Sequence, residues 1–145
     1  RTLSKGYSLA GLRVGFGIAN PKLLSGLFKV KDSYNVDAIS ITLGAAAIRD
    51  QAYKNARAHQ IKISRAKLSA DLQQLDFSVL KSYGNFVLAT PKSHDAESLY
   101  LTLKEHGILV RYFKQPGLDD KLRISVGTEE ENQILIKSLT DLIRV

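Results

Sequence analysis

Cysteine is missing from all 145 residues, which removes disulfides, thiolate catalysis and cysteine-ligated zinc from the possible chemistry. That absence fits a cytoplasmic protein. Methionine is missing too, and the chain starts at Arg1, whereas a natural amino terminus carries methionine or the small residue left by its removal. The sequence is therefore expected to be a piece of a longer protein. Long apolar runs are also lacking: the longest, such as 39–48, are interrupted by Ser, Thr and Gly and fall far short of the ~20 residues of a membrane helix. No membrane span or secretory signal is visible. His59, His94 and His106 are scattered, with no pair at ligand spacing, so no metal site is expected and all three read as surface residues.

What is present is the composition of a soluble globular domain, 44% hydrophobic and 24% charged, with a net charge of +7. A basic balance raises the question of a nucleic-acid partner. Much of the excess lies on one segment, where Lys54, Arg57, Lys62 and Arg65 fall within a ~140° arc at 100° per residue. No aromatic residues interleave with these charges as stacking platforms, so the face reads as the solvated side of a long helix and not as a nucleic-acid module.

Along the chain, 12–19 (LRVGFGIA) reads as a strand closed by Asn20-Pro21, and 22–34 as a helix broken by Asn35-Val36-Asp37. Residues 39–75 are helical in pattern, with Ile61, Arg65, Leu68, Leu72 and Leu75 recurring every three to four positions and a single break expected near Arg49-Asp50. Extended segments follow at 78–81 and 85–90. Ser93 or Asp95 can cap a helix running to about His106, with Gly107 suited to a left-handed C-terminal position. Two more strands are expected at 108–113 and 122–126. The last helix begins with a capping box, Thr128 with Glu131, and its three successive glutamates sit at the positive end of the helix dipole; it should run nearly to Arg144. From residue 78 the order strand, strand, helix, strand, strand, helix describes an α/β unit, a small open sheet with helices on one face.

The chemistry is concentrated at the start. Lys5 is flanked by Thr2, Ser4, Gly6, Ser8, Ala10 and Gly11, and Arg13 follows eight residues on. Small side chains let a backbone approach a bulky ligand, hydroxyls and a guanidinium suit a phosphate, and a lysine beside that phosphate can condense with an aldehyde on the same ligand. Aldehyde and phosphate together describe pyridoxal 5'-phosphate. The stretch TLSKGYSLAG, followed by Leu12-Arg13-Val14-Gly15, resembles the lysine motif of fold-type I aminotransferases. Within that superfamily the chain looks most like the histidinol-phosphate aminotransferases, through SYGNFVLA (82–89), GILVR (107–111) and LRISVGTEEEN (122–132), in the same order.

The resemblance implies the C-terminal portion of such an enzyme. Residues 1–50 would be a remnant of the large cofactor domain with connecting helices, and 51–145 the small C-terminal domain. It implies that Lys5 is catalytic and carries pyridoxal phosphate, and that Ser4 and Arg13 bind the cofactor's phosphate. Arg111 and Arg123 match two substrate-site arginines, for the phosphate of the amino substrate and the acidic end of glutamate or 2-oxoglutarate, and Asn85 matches an asparagine lining the pocket. Taken by themselves, Arg111 also reads as a strand-end surface residue, Arg123 as a partner of Asp119 or Asp120, and Asn85 as a turn residue. The implied activity is transamination of histidinol phosphate in histidine biosynthesis by a full-length homodimer, the piece alone being inactive. Threonine-phosphate decarboxylases and aromatic aminotransferases share the fold and much of the lysine motif.

Overall fold

A computed structural model describes residues 1–143. The chain separates into two compact units, Arg1–Ala58 and His59–Val145, dividing within a long helix.

In the first unit the opening residues fold back on themselves. The Leu3 N–H donates to the Val14 carbonyl (3.0 Å), the Phe16 N–H to the Arg1 carbonyl (2.7 Å), and Thr2 and Gly15 form an isolated antiparallel bridge. The expected strand over 12–19 does not form. A strand exists only by pairing, and the strand-like pairing described for these positions is the Thr2–Gly15 bridge with the two backbone bonds beside it. A single 3₁₀ turn, Ala10–Leu12, and a left-handed Arg13 (φ 56°) bend the chain where the strand was expected to start. Helix α1, Pro21–Val30, starts as its sequence dictates: Pro21 takes the first position, where no N–H is needed, and the Asn20 side chain accepts from the Lys22 N–H. Helix α2, Ala38–Arg49, is capped by Asp37, which accepts from the Ser40 N–H. Asp50 then interrupts the helical run where a break was expected, and α3 covers Gln51–Gln74.

The second unit holds the sheet. Strands β1 (Phe77–Val79), β2 (Phe86–Pro91), β3 (Arg111–Tyr112) and β4 (Leu122–Ser125) form one antiparallel sheet in the order β1-β2-β4-β3. Between β2 and β3 lies α4, Ala96–Glu105, and after β4 lies α5, Glu129–Ile143. Asp95, of the two candidates, caps α4, and Gly107 takes the left-handed conformation (φ 77°) after its end. The capping box at α5 forms in both directions: Thr128 Oγ1 accepts from the Glu131 N–H, and Glu131 Oε2 accepts from the Thr128 N–H. The expectation that this helix reaches Arg144 concerns a position outside the described residues.

Register fixes the two faces of this sheet. Val87 pairs with Ile124, Ala89 with Leu122, and Phe77 with Pro91, so these side chains share one face. They join Leu68 and Leu72 of α3, Leu99 and Leu103 of α4, and Leu135 and Leu139 of α5 in one buried cluster. The helices thus cover one face, as the alternation along β2 and β4 requires. The opposite face carries Phe86, Leu88, Arg111, Arg123 and Ser125. Among the described residues, no helix is long and apolar enough to cross a membrane.

Candidate active site

The loop that carries Lys5 is anchored on both sides of that residue. Leu3, 1% exposed, is the anchor, its backbone bonded to Val14 and Leu9 and its side chain packed on Gly44 of α2. A methyl group on Gly44 would come within 3.2 Å of Leu3 Cδ1, so the glycine lets the helix and loop close together. Gly15 is needed for a stricter reason: a Cβ there would lie 2.7 Å from the Arg1 carbonyl oxygen, and the pairing with Thr2 would be lost. Between these anchors the chain turns outward, with the Ser8 N–H donating to the Lys5 carbonyl (3.0 Å) and Ser8 in a left-handed conformation.

Lys5 is exposed, and no hydrogen bond or ion pair among the described residues engages its amine. Ser4 is half-buried; its hydroxyl accepts from Thr2 Oγ1 (2.9 Å), and its N–H donates to the same Thr2 oxygen. Arg13 is exposed, and its Nη1 donates to the Ala10 carbonyl (2.9 Å), which fixes the guanidinium beside the turn while the remaining donors of the fork stay available. Side chains added at Gly6 or Gly11 would meet nothing within 4 Å, so this chain leaves open space along the loop. An amine, two hydroxyls and a guanidinium on one anchored loop beside that space form a donor set suited to a ligand carrying an aldehyde and a phosphate.

A second constellation lies in the other unit, on the sheet face the helices leave uncovered. Arg111 and Arg123 are directly opposite across the β3–β4 pair, and Arg123 is in turn opposite Leu88. Like charges opposite one another oppose strand pairing, and none of the ion pairs among the described residues involves either arginine. Asp120, one candidate partner for Arg123, is instead bonded to Lys121 (2.5 Å). The two guanidiniums rest over rings: Arg111 lies 5.1 Å from the centre of Phe113, and Arg123 lies 5.1 Å from the centre of Phe86. Two paired cations without carboxylate partners can take a phosphate or a dicarboxylate. Asn85 begins the residues leading into β2; its carbonyl accepts from the Val126 N–H (2.9 Å), while no hydrogen bond among the described residues engages its carboxamide.

Sequence-based expectation assigned three of the six residues to the cofactor and three to the substrate. Ser4, Lys5 and Arg13 share the loop of the first unit; in the second, Arg111 and Arg123 face each other across β3 and β4, while Asn85 lies beyond the Phe86–Ser125 end of the β2–β4 pair, bonded to Val126. The basic face of α3 needs correcting. Arg57 lies 5.2 Å over the Tyr53 ring, and Arg65 is half-buried, its Nη1 donating to the Gly84 carbonyl (2.7 Å). Lys54, only half-exposed, bonds Asn55. Two of the four charges on that arc, Lys54 and Arg65, are thus half-buried. Arg65 also occupies the apolar stripe with Ile61, Leu68 and Leu72, and that double membership is the sequence signal for its half-burial. Burial and nearby acidic groups push the Tyr112 hydroxyl above its ordinary value; its ring stacks on Tyr100 (5.8 Å), a packing role. Among the described residues, no group of three histidine or carboxylate residues is placed to hold a metal ion.

Compared with known proteins, residues 1–139 match the family described as aminotransferase class I and II. The chain is 63% identical over 144 residues to histidinol-phosphate aminotransferase 1 of Trichormus variabilis, covering 99% of this chain and 41% of that protein. It is 64% identical over 143 residues to the protein of the same name from a Nostoc species, covering 99% and 40%. Among solved structures, histidinol-phosphate aminotransferase from Sinorhizobium meliloti in complex with pyridoxal-5'-phosphate superimposes with a TM-score of 0.88 at 28% identity, over 99% of this chain and 40% of that one. The chain thus spans about two fifths of the length of the curated relatives it matches.

Proposed function

We propose, because this chain belongs to the class I and II aminotransferases, that the full-length protein transfers an amino group from histidinol phosphate to 2-oxoglutarate, or the reverse with glutamate, using pyridoxal phosphate. The observation that carries this reading is the anchored loop of Ser4, Lys5 and Arg13, with an exposed, unengaged amine, in a chain so close throughout to proteins of that name. In this reading residues 1–50 belong to the cofactor domain and 51–145 to the small domain. The enzyme is a cytoplasmic homodimer.

Pyridoxal phosphate, when bound, supplies an aldehyde and a ring that accepts electrons from the substrate carbon. The chain's own residues supply the rest. Ser4 and Arg13 hold the phosphate, the arginine kept in place by its bond to the Ala10 carbonyl. Lys5 holds the aldehyde end. With substrate bound, the Lys5 amine would be the base that takes the proton from the amine-bearing carbon of the substrate and delivers it to the carbon that carried the cofactor's aldehyde. Arg111 binds the phosphate of the amino substrate, Arg123 the acidic end of glutamate or 2-oxoglutarate, and Asn85 lines the substrate pocket.

The test is a screen of the full-length enzyme with histidinol phosphate, phosphothreonine, tyrosine and glutamate, following the cofactor's absorbance and the keto product. Conversion with histidinol phosphate and glutamate is expected. Release of carbon dioxide from phosphothreonine would identify a decarboxylase instead, and conversion with tyrosine alone an aromatic aminotransferase.

A further inference from the structure

Asn85 sits in a turn whose shape depends on a residue of α3. The connection from β1 to β2 is wired internally through Ser82: its hydroxyl accepts from the Gly84 N–H (3.1 Å) and donates to the Phe86 carbonyl (2.5 Å). Val126, just past β4, bonds the Asn85 carbonyl from one side. From α3, 19 residues away in sequence, Arg65 Nη1 donates to the Gly84 carbonyl at 2.7 Å. A hydrogen bond from a guanidinium to a carbonyl is stronger than one between neutral groups. Arg65 is half-buried on the helix face that also carries Leu68 and Leu72 of the core. The peptide immediately before Asn85 is thus fixed by a charged side chain on a rigid helix. The Asn85 carboxamide is left for a ligand.

We propose that Arg65 is a positioning residue of the substrate site: by holding the Gly84 carbonyl it sets the direction in which Asn85 presents its carboxamide. The inference rests on the reading of Asn85 as a substrate-pocket residue. It also separates Arg65 from Lys62, an exposed cation on the same helix. A glutamine at position 65 is too short to reach the Gly84 carbonyl, whereas lysine keeps a cationic donor on a long stem.

The experiment compares Arg65→Gln, Arg65→Lys, Asn85→Ala, Lys62→Gln and the double variant Arg65→Gln/Asn85→Ala in the full-length enzyme. Arg65→Gln is expected to raise KM for the amino substrate roughly five- to tenfold, the range of one lost hydrogen bond, with kcat within about twofold. Amide hydrogen exchange over 82–87 should quicken in the same variant. Arg65→Lys should recover part of the loss, and Lys62→Gln should match the parent. The double variant should lose no more kcat/KM than Asn85→Ala alone, because Arg65 has nothing left to position. Losses that multiply in the double variant, or an unchanged KM in Arg65→Gln while Asn85→Ala is impaired, overturn the role of Arg65 and leave the pocket reading standing. An unchanged KM in Asn85→Ala overturns the pocket reading and this inference with it. If Arg65→Gln fails to fold by circular dichroism, Arg65→Lys alone and combined with Asn85→Ala carries the same comparison.

Discussion

Opposed arginines on an uncovered sheet face are a cost to the fold that a bound anion would remove, and this makes Arg111 and Arg123 informative one residue at a time. Arg123→Ala is expected to impair both half-reactions of the full-length enzyme, and Arg111→Ala mainly the half that uses the phosphorylated amine. The loss in kcat/KM should be roughly 30- to 700-fold where a substrate charge is left unpaired; stopped-flow measurement of each half-reaction separates the two. Gly15 makes a sharper steric test. An alanine there would drive its Cβ to 2.7 Å from the Arg1 carbonyl, so Gly15→Ala should weaken cofactor retention on the Lys5 loop, read by dialysis and absorbance, while leaving the second unit's unfolding midpoint unchanged. At this scale the loop's donor set was legible because hydroxyls, glycines, a lysine and an arginine cluster within thirteen residues. Arg65 lay on two overlapping periodic patterns of the sequence, and only the fold decides which neighbour it meets.

Helices, more than strands, announced themselves. Asp95 and Thr128 with Glu131 bond the N–H groups expected of them, and Asp37, read from sequence only as part of a break, caps α2 in the same way, since capping is local chemistry. The stretch 12–19 looks like a strand but needs a partner strand, which no local pattern can supply. The 108–113 segment pairs only over Arg111–Tyr112, because the register with β4 brings only those two residues opposite Arg123 and Leu122. Packing gives one prediction here: Leu72→Ala or Leu139→Ala, each replacing a side chain with no exposed surface, should destabilise the second unit by about 2 to 5 kcal/mol in denaturant unfolding. Protonation gives another. The Ser98 backbone N–H, and then its hydroxyl, hold the Asp95 carboxyl below its ordinary value of 3.8. A lowered carboxyl contributes stability above its unfolded value and loses it as pH falls through the folded one. Asp95→Ala should therefore lower the melting temperature at neutral pH, and the gap from the parent should close as pH drops below the usual aspartate range.

Over the whole molecule the two units differ in how they keep apolar surface from water. Among the described residues the second unit buries twelve apolar side chains in one cluster, whereas the first buries Leu3 alone and leaves Ile18 89% exposed, Val30 82% and Phe28 68%. The isolated 145-residue chain is therefore expected to self-associate with rising concentration in sedimentation, to bind pyridoxal phosphate weakly and to lack transamination. Tight stoichiometric binding with turnover of histidinol phosphate would contradict that expectation. The central claim, that the Lys5 loop carries the cofactor in the full-length enzyme, has a direct test: borohydride reduction of the cofactor-loaded protein, which fixes pyridoxal phosphate to the lysine it is joined to, followed by peptide mapping. The account predicts the pyridoxyl group on Lys5; a label on Lys62 or Lys67 with none on Lys5 would contradict it.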